Sequence, residues 1–183
     1  MNANPAVENQ AVQGVRLIEP APEMAVAYRG FLQEFIDAGE EGILDHMPDE
    51  IEDAAECIRR LKDHALGVNL PDGWVTCTAY WLVSGERLVG EIHIRHRLTP
   101  ALEDYGGHIG YMVRPCERGK GHGTRMLALG LGKVRAMGLY RVLVTCAPEN
   151  AASARVIRKN GGKLISESVA RVGRITSRYW IDL

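Results

Sequence analysis

Residues 107–127 read GHIGYMVRPCERGKGHGTRML, an apolar strand that runs into a loop with glycines at 119, 121 and 123 and then into a helix. Glycine in such a loop is costly unless the backbone takes φ > 0 or must approach something closely. The first N–H groups of a helix lack intrahelical partners, and with the helix dipole they form an anion site. A strand, a loop of this kind and a helix in succession require an α/β fold with the loop at the end of a sheet strand. Two phosphate-binding patterns fail on spacing. GxxxxGK followed by Ser or Thr does not match GKGHGT, whose Lys120 comes too early. GxGxxG fits neither from Gly119 nor from Gly121.

The rest of the chain supplies the sheet. VRLI (15–18) is a short strand, and after Pro22 the positions Met24, Tyr28, Phe31, Leu32, Phe35 and Ile36 recur at helical spacing. MPDEIEDAAECIRRLKDHALG predicts a second helix, with Pro48 and acids in its first turn and a buried face of Ile51, Ala55, Ile58 and Leu61. Residues 74–96 read as a β-hairpin around SGE, and 107–114 as the next strand. A helix follows over 121–137, with Gly130 and Gly132 inside it allowing close packing on the sheet. RVLVTCA (141–147) is a buried strand, NAASARVIRKNGG a helix ending at glycine, and KLISESVARV and ITSRYWIDL two final strands. The order is β-α-α-β-β-β-α-β-α-β-β: an α/β fold with a single mixed, mostly antiparallel sheet flanked by helices. The domain runs over 15–183, behind a flexible polar tail at 1–14.

Charge is divided along the chain. Residues 1–113 hold 8 of the 22 Lys and Arg and 19 of the 23 Asp and Glu, and residues 114–183 hold the remainder. The basic half fits an anionic ligand better than a nucleic acid, since no aromatic stacking platform or helix-turn-helix pattern accompanies it. The four cysteines lack metal or CxxC spacing, so no metal site and reduced thiols are expected. No apolar run is long enough for a membrane span, and MNANPAVENQAVQG has no basic-then-apolar signal pattern; a cytoplasmic protein without membrane contact is expected.

Arg118-x-x-Gly121-x-Gly123, directly after a strand and at the start of a helix, followed by a strand and an Asn-led helix, resembles the core of the GCN5-related N-acetyltransferase (GNAT) superfamily over residues 107–162. The element order matches that family's fold, which implies a sheet splayed between strands 107–114 and 141–147. The resemblance implies acetyl-CoA as acyl donor, with its pyrophosphate on the backbone amides of Arg118, Gly119, Lys120, Gly121, His122, Gly123 and Thr124. Arg118, Lys120 and Arg125 would add charge. The main chain of Met112 and Val113 would hold the pantetheine arm, and Asn150 would contact it while also capping its helix.

The pattern departs from the family at one place. A Tyr seven residues after the Asn commonly serves as general acid, and here that position is Ile157. Ser153, three residues after Asn150 as in relatives that acetylate ribosomal-protein N-termini, is the alternative donor. An alkyl amine near pKa 10.4 must lose a proton before attack. Glu91 and His93 share one face of a strand, and His108 begins the splayed strand; His108, Glu91 and, behind them, Tyr111 are the candidate bases. Residues 34–56 carry ten acids and no Lys or Arg, either a solvated face or an attractor for a cationic acceptor. The resemblance therefore predicts an N-acetyltransferase for a primary amine, a cationic small molecule or peptide. A ribosomal-protein-type N-terminal acetyltransferase and a non-catalytic acyl-CoA-binding module are the alternatives. ITSRYWIDL is the candidate edge for a homodimer, with Trp180 alternatively core.

Overall fold

A hydrogen-bonded ladder of seven strands organises the computed structural model, which describes residues 14–40, 53–171 and 173–183. In chain order the elements are β1 (Val15–Ile18), α1 (Ala25–Asp37), α2 (Ala54–Leu66), β2 (Cys77–Ser84), β3 (Arg87–Arg95), α3 (Pro100–Asp104), β4 (Ile109–Val113), α4 (His122–Ala136), β5 (Arg141–Cys146), α5 (Ala151–Lys159), β6 (Lys163–Val169) and β7 (Ile175–Asp182). The sheet order is β1-β2-β3-β4-β5-β7-β6, antiparallel except between β4 and β5. This is the expected mixed sheet with one addition, the short α3, which Thr99 caps by accepting from the Leu102 N–H.

Alternation along the strands feeds two cores. On one face Leu82, Ile92, Ile94, Val142, Val144 and Tyr179 pack with Met126, Leu127, Leu131 and Val134 of α4 and Ile157 of α5. On the other, Ala79, Trp81, Val83, Leu88 and Met112 pack with Tyr28, Phe31, Leu32 and Phe35 of α1 and Ile58 and Leu61 of α2. The β2–β3 register shifts where Leu82 faces Gly90 and Val83 faces Leu88, which leaves Val89 as an extra residue. That bulge reverses the facing of β3 beyond it, so Leu88, Glu91 and His93 all look toward α1 and α2.

Several expectations change in detail. In α2, Asp53 is the N-cap and accepts from the Glu56 N–H, and the buried positions are Ala54, Cys57, Ile58 and Leu61. Ala55 faces solvent, one residue out of the expected stripe; Ile51, Pro48 and the acids from 41 to 52 lie outside the described residues, as do residues 1–13 of the tail. Gly130 does let α4 approach the sheet, since a Cβ there would lie 2.5 Å from Ile92 Cδ1, whereas Gly132 faces open space. ITSRYWIDL is not an edge: β7 is paired on both sides, by β5 and β6, and the edges are β1 and β6. Arg141 stacks on the Trp180 ring at 4.0 Å, which completes the inner role of that strand.

Candidate active site

The parallel pair β4–β5 is joined at a single register position, Ile109 opposite Val144, with a bridge from Gly107 to Val144 just before it. Beyond that point the two strands part, and a cleft of about 680 Å3 opens between them. His108 fixes the closed end. Its N–H donates to Leu143 O at 2.7 Å, and its Nδ1 accepts from the Leu143 N–H at 2.9 Å. Burial, with the Arg95 charge acting in the same direction, pulls this imidazole down to about 4. A neutral imidazole has one ring nitrogen able to accept, and here Leu143 occupies it. The sequence expectation of His108 as base is corrected: it is a structural histidine at the fork.

The ladder between β3 and β4 decides which backbone groups face the cleft. Arg95 N–H donates to His108 O and Arg114 N–H to Val89 O, which makes Gly110 and Met112 the residues bonded to β3. Tyr111 and Val113 therefore present their main chain to the cleft, and Met112 turns its main chain to β3 and its side chain into the α1–α2 core. Of the expected pair, Val113 is on the cleft side and Met112 is not. Val113 O already accepts from Arg118 Nε at 3.1 Å.

At the open end lies the glycine loop. Gly119 and Gly121 have φ of 76° and 84°, left-handed values that a side chain disfavours, and Gly121 is the N-cap of α4. Arg125 N–H closes the first turn on Gly121 O, so the amides ahead of it have no intrahelical partner. Gly123 has a different purpose: a Cβ there would sit 3.2 Å from Val156 Cγ2, so it seats α4 against α5. The loop's side chains are largely engaged. Arg118 makes a two-pronged pair with Glu40 at 2.7 Å, and Lys120 meets Glu117 at 2.9 Å. His122 turns inward, with Nε2 3.6 Å from Glu117 and Nδ1 buried without a hydrogen bond, and burial lowers its pKa. Its contribution at the loop is its backbone.

Across the cleft, Asn150 caps α5 by accepting from the Ser153 N–H at 2.9 Å. Ser153 Oγ lies 2.8 Å from the Tyr111 hydroxyl, and both line the cleft. Burial raises the Tyr111 pKa, against the Ser153 hydrogen bond, so the phenol keeps its proton. Ile157 is fully buried in the core. A hydroxyl from β4 on the opposite wall thus meets Ser153 of α5 across the cleft. No helical spacing on α5 points to Tyr111; only the splay brings it against Ser153.

A second cavity, of about 480 Å3, lies on the α1–α2 side and shares Arg95, Gly110 and Tyr111 with the cleft. His93 lines it, and Glu91 stands behind His93 with no exposure. Glu91 Oε1 is bonded to His93 Nε2, and Glu91 Oε2 accepts from Trp81 Nε1 at 2.9 Å. Burial works to lower the His93 pKa, but the Glu91 charge, aided by Cys77, raises it to about 10. The Glu91 carboxylate beside it thus favours the protonated form of His93, whose ring faces the cavity. Glu91 is itself buried and meets the cavity through side chains that line it, His93 and Tyr28.

Among the described residues no cluster of His, Cys, Asp and Glu has the geometry of a metal site, and no helix is long and apolar enough to cross a membrane. The Mycobacterium smegmatis protein RimJ, in complex with CoA-disulfide, superposes with a TM-score of 0.70 at 19% identity, over 94% of this chain and 83% of that one. The microcin C7 self-immunity acetyltransferase MccE, in complex with acetyl-CoA and AMP, gives 0.67 at 15%, over 93% of both chains. The ribosomal-protein-S5-alanine acetyltransferase of Vibrio fischeri gives 0.66 at 14%, again over 93% of both. No curated protein matches the chain in sequence. The acetyltransferase (GNAT) domain profile matches residues 30–163, and the chain, with its splayed β4–β5 pair and glycine-capped α4, belongs to that family of acyltransferases.

Proposed function

We propose that the protein is an acetyl-CoA-dependent N-acetyltransferase acting on a primary amine. The observation that carries this reading is the cleft itself: a parallel pair joined at one position, opening toward a helix N-terminus capped by a left-handed glycine. Left-handed Gly119 and Gly121 and the partnerless amides at the start of α4 fit a pyrophosphate. Asn150, the main chain of Val113 and the amides of Arg118 to Thr124 would hold acetyl-CoA along the cleft, with Arg118 and Lys120 beside it in their present ion pairs.

Acetyl-CoA supplies an activated thioester, whose C–S bond breaks as the amine's C–N bond forms, so one proton leaves nitrogen and one reaches sulfur. The Tyr111–Ser153 pair is the proton source this chain offers at the cleft, because Tyr111 is held protonated and Ser153 links it to the N-terminus of α5. In this reading Ser153 acts with a second hydroxyl, that of Tyr111. Glu91 serves as a positioning residue that fixes His93 on the acceptor side.

The test is a thiol-release assay with acetyl-CoA and a panel of amines, paired with intact-mass analysis of the products. Turnover with a mass gain of one acetyl group on the amine supports the reading. Acetyl-CoA binding measured by calorimetry with no turnover on any amine overturns it in favour of a non-catalytic acyl-CoA-binding module.

A further inference from the structure

We propose that the acceptor is a primary amine that also carries a carboxylate, with Arg95 and Arg60 receiving that carboxylate in the cavity on the α1–α2 side. The proposal rests on the transferase reading above and names its substrate class. Among the described residues, the charged or ionisable side chains lining this cavity, apart from the thiols and phenols, are all basic: Arg60, His64, His93 and Arg95.

Arg95 is built into its place. It lines both the cavity and the cleft, and its Nη1 donates to the carbonyls of Gly106 and Gly107 at 3.3 and 3.2 Å. Those two bonds orient the guanidinium at the junction without neutralising it, and among the described residues it has no carboxylate partner. Arg60 projects from α2 beside the Cys57 thiol, and it too has no ion pair among the described residues. A half-buried guanidinium without a counter-ion is an incomplete site, and an incoming carboxylate completes it with charge-assisted, two-pronged hydrogen bonds.

Of the described acids from the run at 34–56, Glu56 feels the Arg60 charge, but each is engaged outside the cavity. Glu34 pairs with Arg114, Glu40 with Arg118, and Glu56 with Arg59, while Asp37 accepts from Gln33 and Asp53 caps α2. None of them lines the cavity. On the cleft side Arg174 adds a further cation, against Glu149. A cationic acceptor would meet like charge at the junction, which is discrimination by repulsion.

The carboxylate has two sources, a free amino acid and the acidic side chain of a peptide with a free N-terminus. The experiment compares kcat/KM for free alanine and serine with their α-carboxamides, for Ser-Asp-Glu-Phe-amide with Ser-Asn-Gln-Phe-amide and Ser-Lys-Lys-Phe-amide, and for spermidine. The carboxylate member of one pair is expected to win by about tenfold, and which pair does so identifies the source. In Arg95→Gln and Arg60→Gln that preference is expected to fall several-fold, while the exposed Arg135→Gln keeps it. Equal turnover of acid and amide members by the wild type, or a preference for Ser-Lys-Lys-Phe-amide or spermidine, overturns the proposal and leaves the transferase reading standing. Calorimetry of the same peptides separates the reverse case: carboxylate-dependent binding with no turnover supports the site and overturns the transferase reading. Neither binding nor turnover overturns both.

Discussion

The Tyr111 hydroxyl, from β4, stands 2.8 Å from Ser153 Oγ, from the first turn of α5, and the two together span the cleft between the parted strands. If this pair supplies the proton to the leaving sulfur, Tyr111→Phe is expected to lower kcat by about 10- to 100-fold, toward the low end of general acid effects. Ser153→Ala is expected to lower it less, and the double variant no more than Tyr111→Phe alone. Steady-state kinetics in a double-mutant cycle checks this. Additive losses, or an unchanged kcat with raised KM for acetyl-CoA, would assign the pair to binding.

The buried Glu91–His93 pair predicts a stability effect with a defined sign. Removing the carboxylate in Glu91→Ala lets the buried His93 return to its neutral form and leaves the Trp81 Nε1–H without its acceptor, and is expected to cost about 1–3 kcal/mol by urea unfolding. The folded-state pKa of His93 lies at about 10, above its ordinary 6.5. Its contribution is therefore fully present below about pH 6.5 and is lost as pH rises toward 10. His93→Gln should flatten the decline in stability over that window.

His108 predicts the opposite limb. Its pKa lies at about 4 in the folded protein, so the unfolded chain binds the extra proton between about pH 6.5 and 4. Stability should fall with pH across that range, and the slope should shrink in His108→Asn. That variant retains an acceptor for the Leu143 N–H, whereas His108→Ala leaves that donor unmatched, at a cost of about 1–3 kcal/mol. Thermal or urea unfolding from pH 4 to 7 reads both effects.

The two glycines inside α4 should respond in opposite directions. Gly130→Ala places a methyl 2.5 Å from Ile92 Cδ1 and is expected to destabilise by about 1–3 kcal/mol through overpacking. Gly132→Ala meets nothing within 4 Å and should stabilise by up to about 1 kcal/mol through helix propensity. Urea midpoints of the two variants decide the matter.

Gly121→Ala tests the loop. At φ of 84° an alanine is strained by about 1–2 kcal/mol, and relief of that strain would turn the first amides of α4 away from the cleft. Weaker acetyl-CoA binding by calorimetry, with little change in acceptor KM, is the expected result.

The local sequence determined much of this protein, because the signals involved are local. Alternation along residues 77–84 and 87–95, the helical spacing from Tyr28 to Phe35, and the glycines at 119 and 121 each act within a few residues. They specify the elements, their order and the glycine-capped end of the cleft. What stayed hidden depends on contacts between distant positions. Tyr111 and Ser153 are 42 residues apart in the chain, and only the splay of β4 from β5 makes them neighbours. The Val89 bulge sets the facing of Glu91 and His93 relative to Leu88, and a bulge arises from pairing between strands. His108 looked like a base until Leu143, on another strand, claimed its acceptor nitrogen. The charge of the cavity on the α1–α2 side was likewise set in three dimensions. The described acids of the run at 34–56 found partners elsewhere, and Arg60 and Arg95, from a helix and a strand 35 residues apart, line the same cavity.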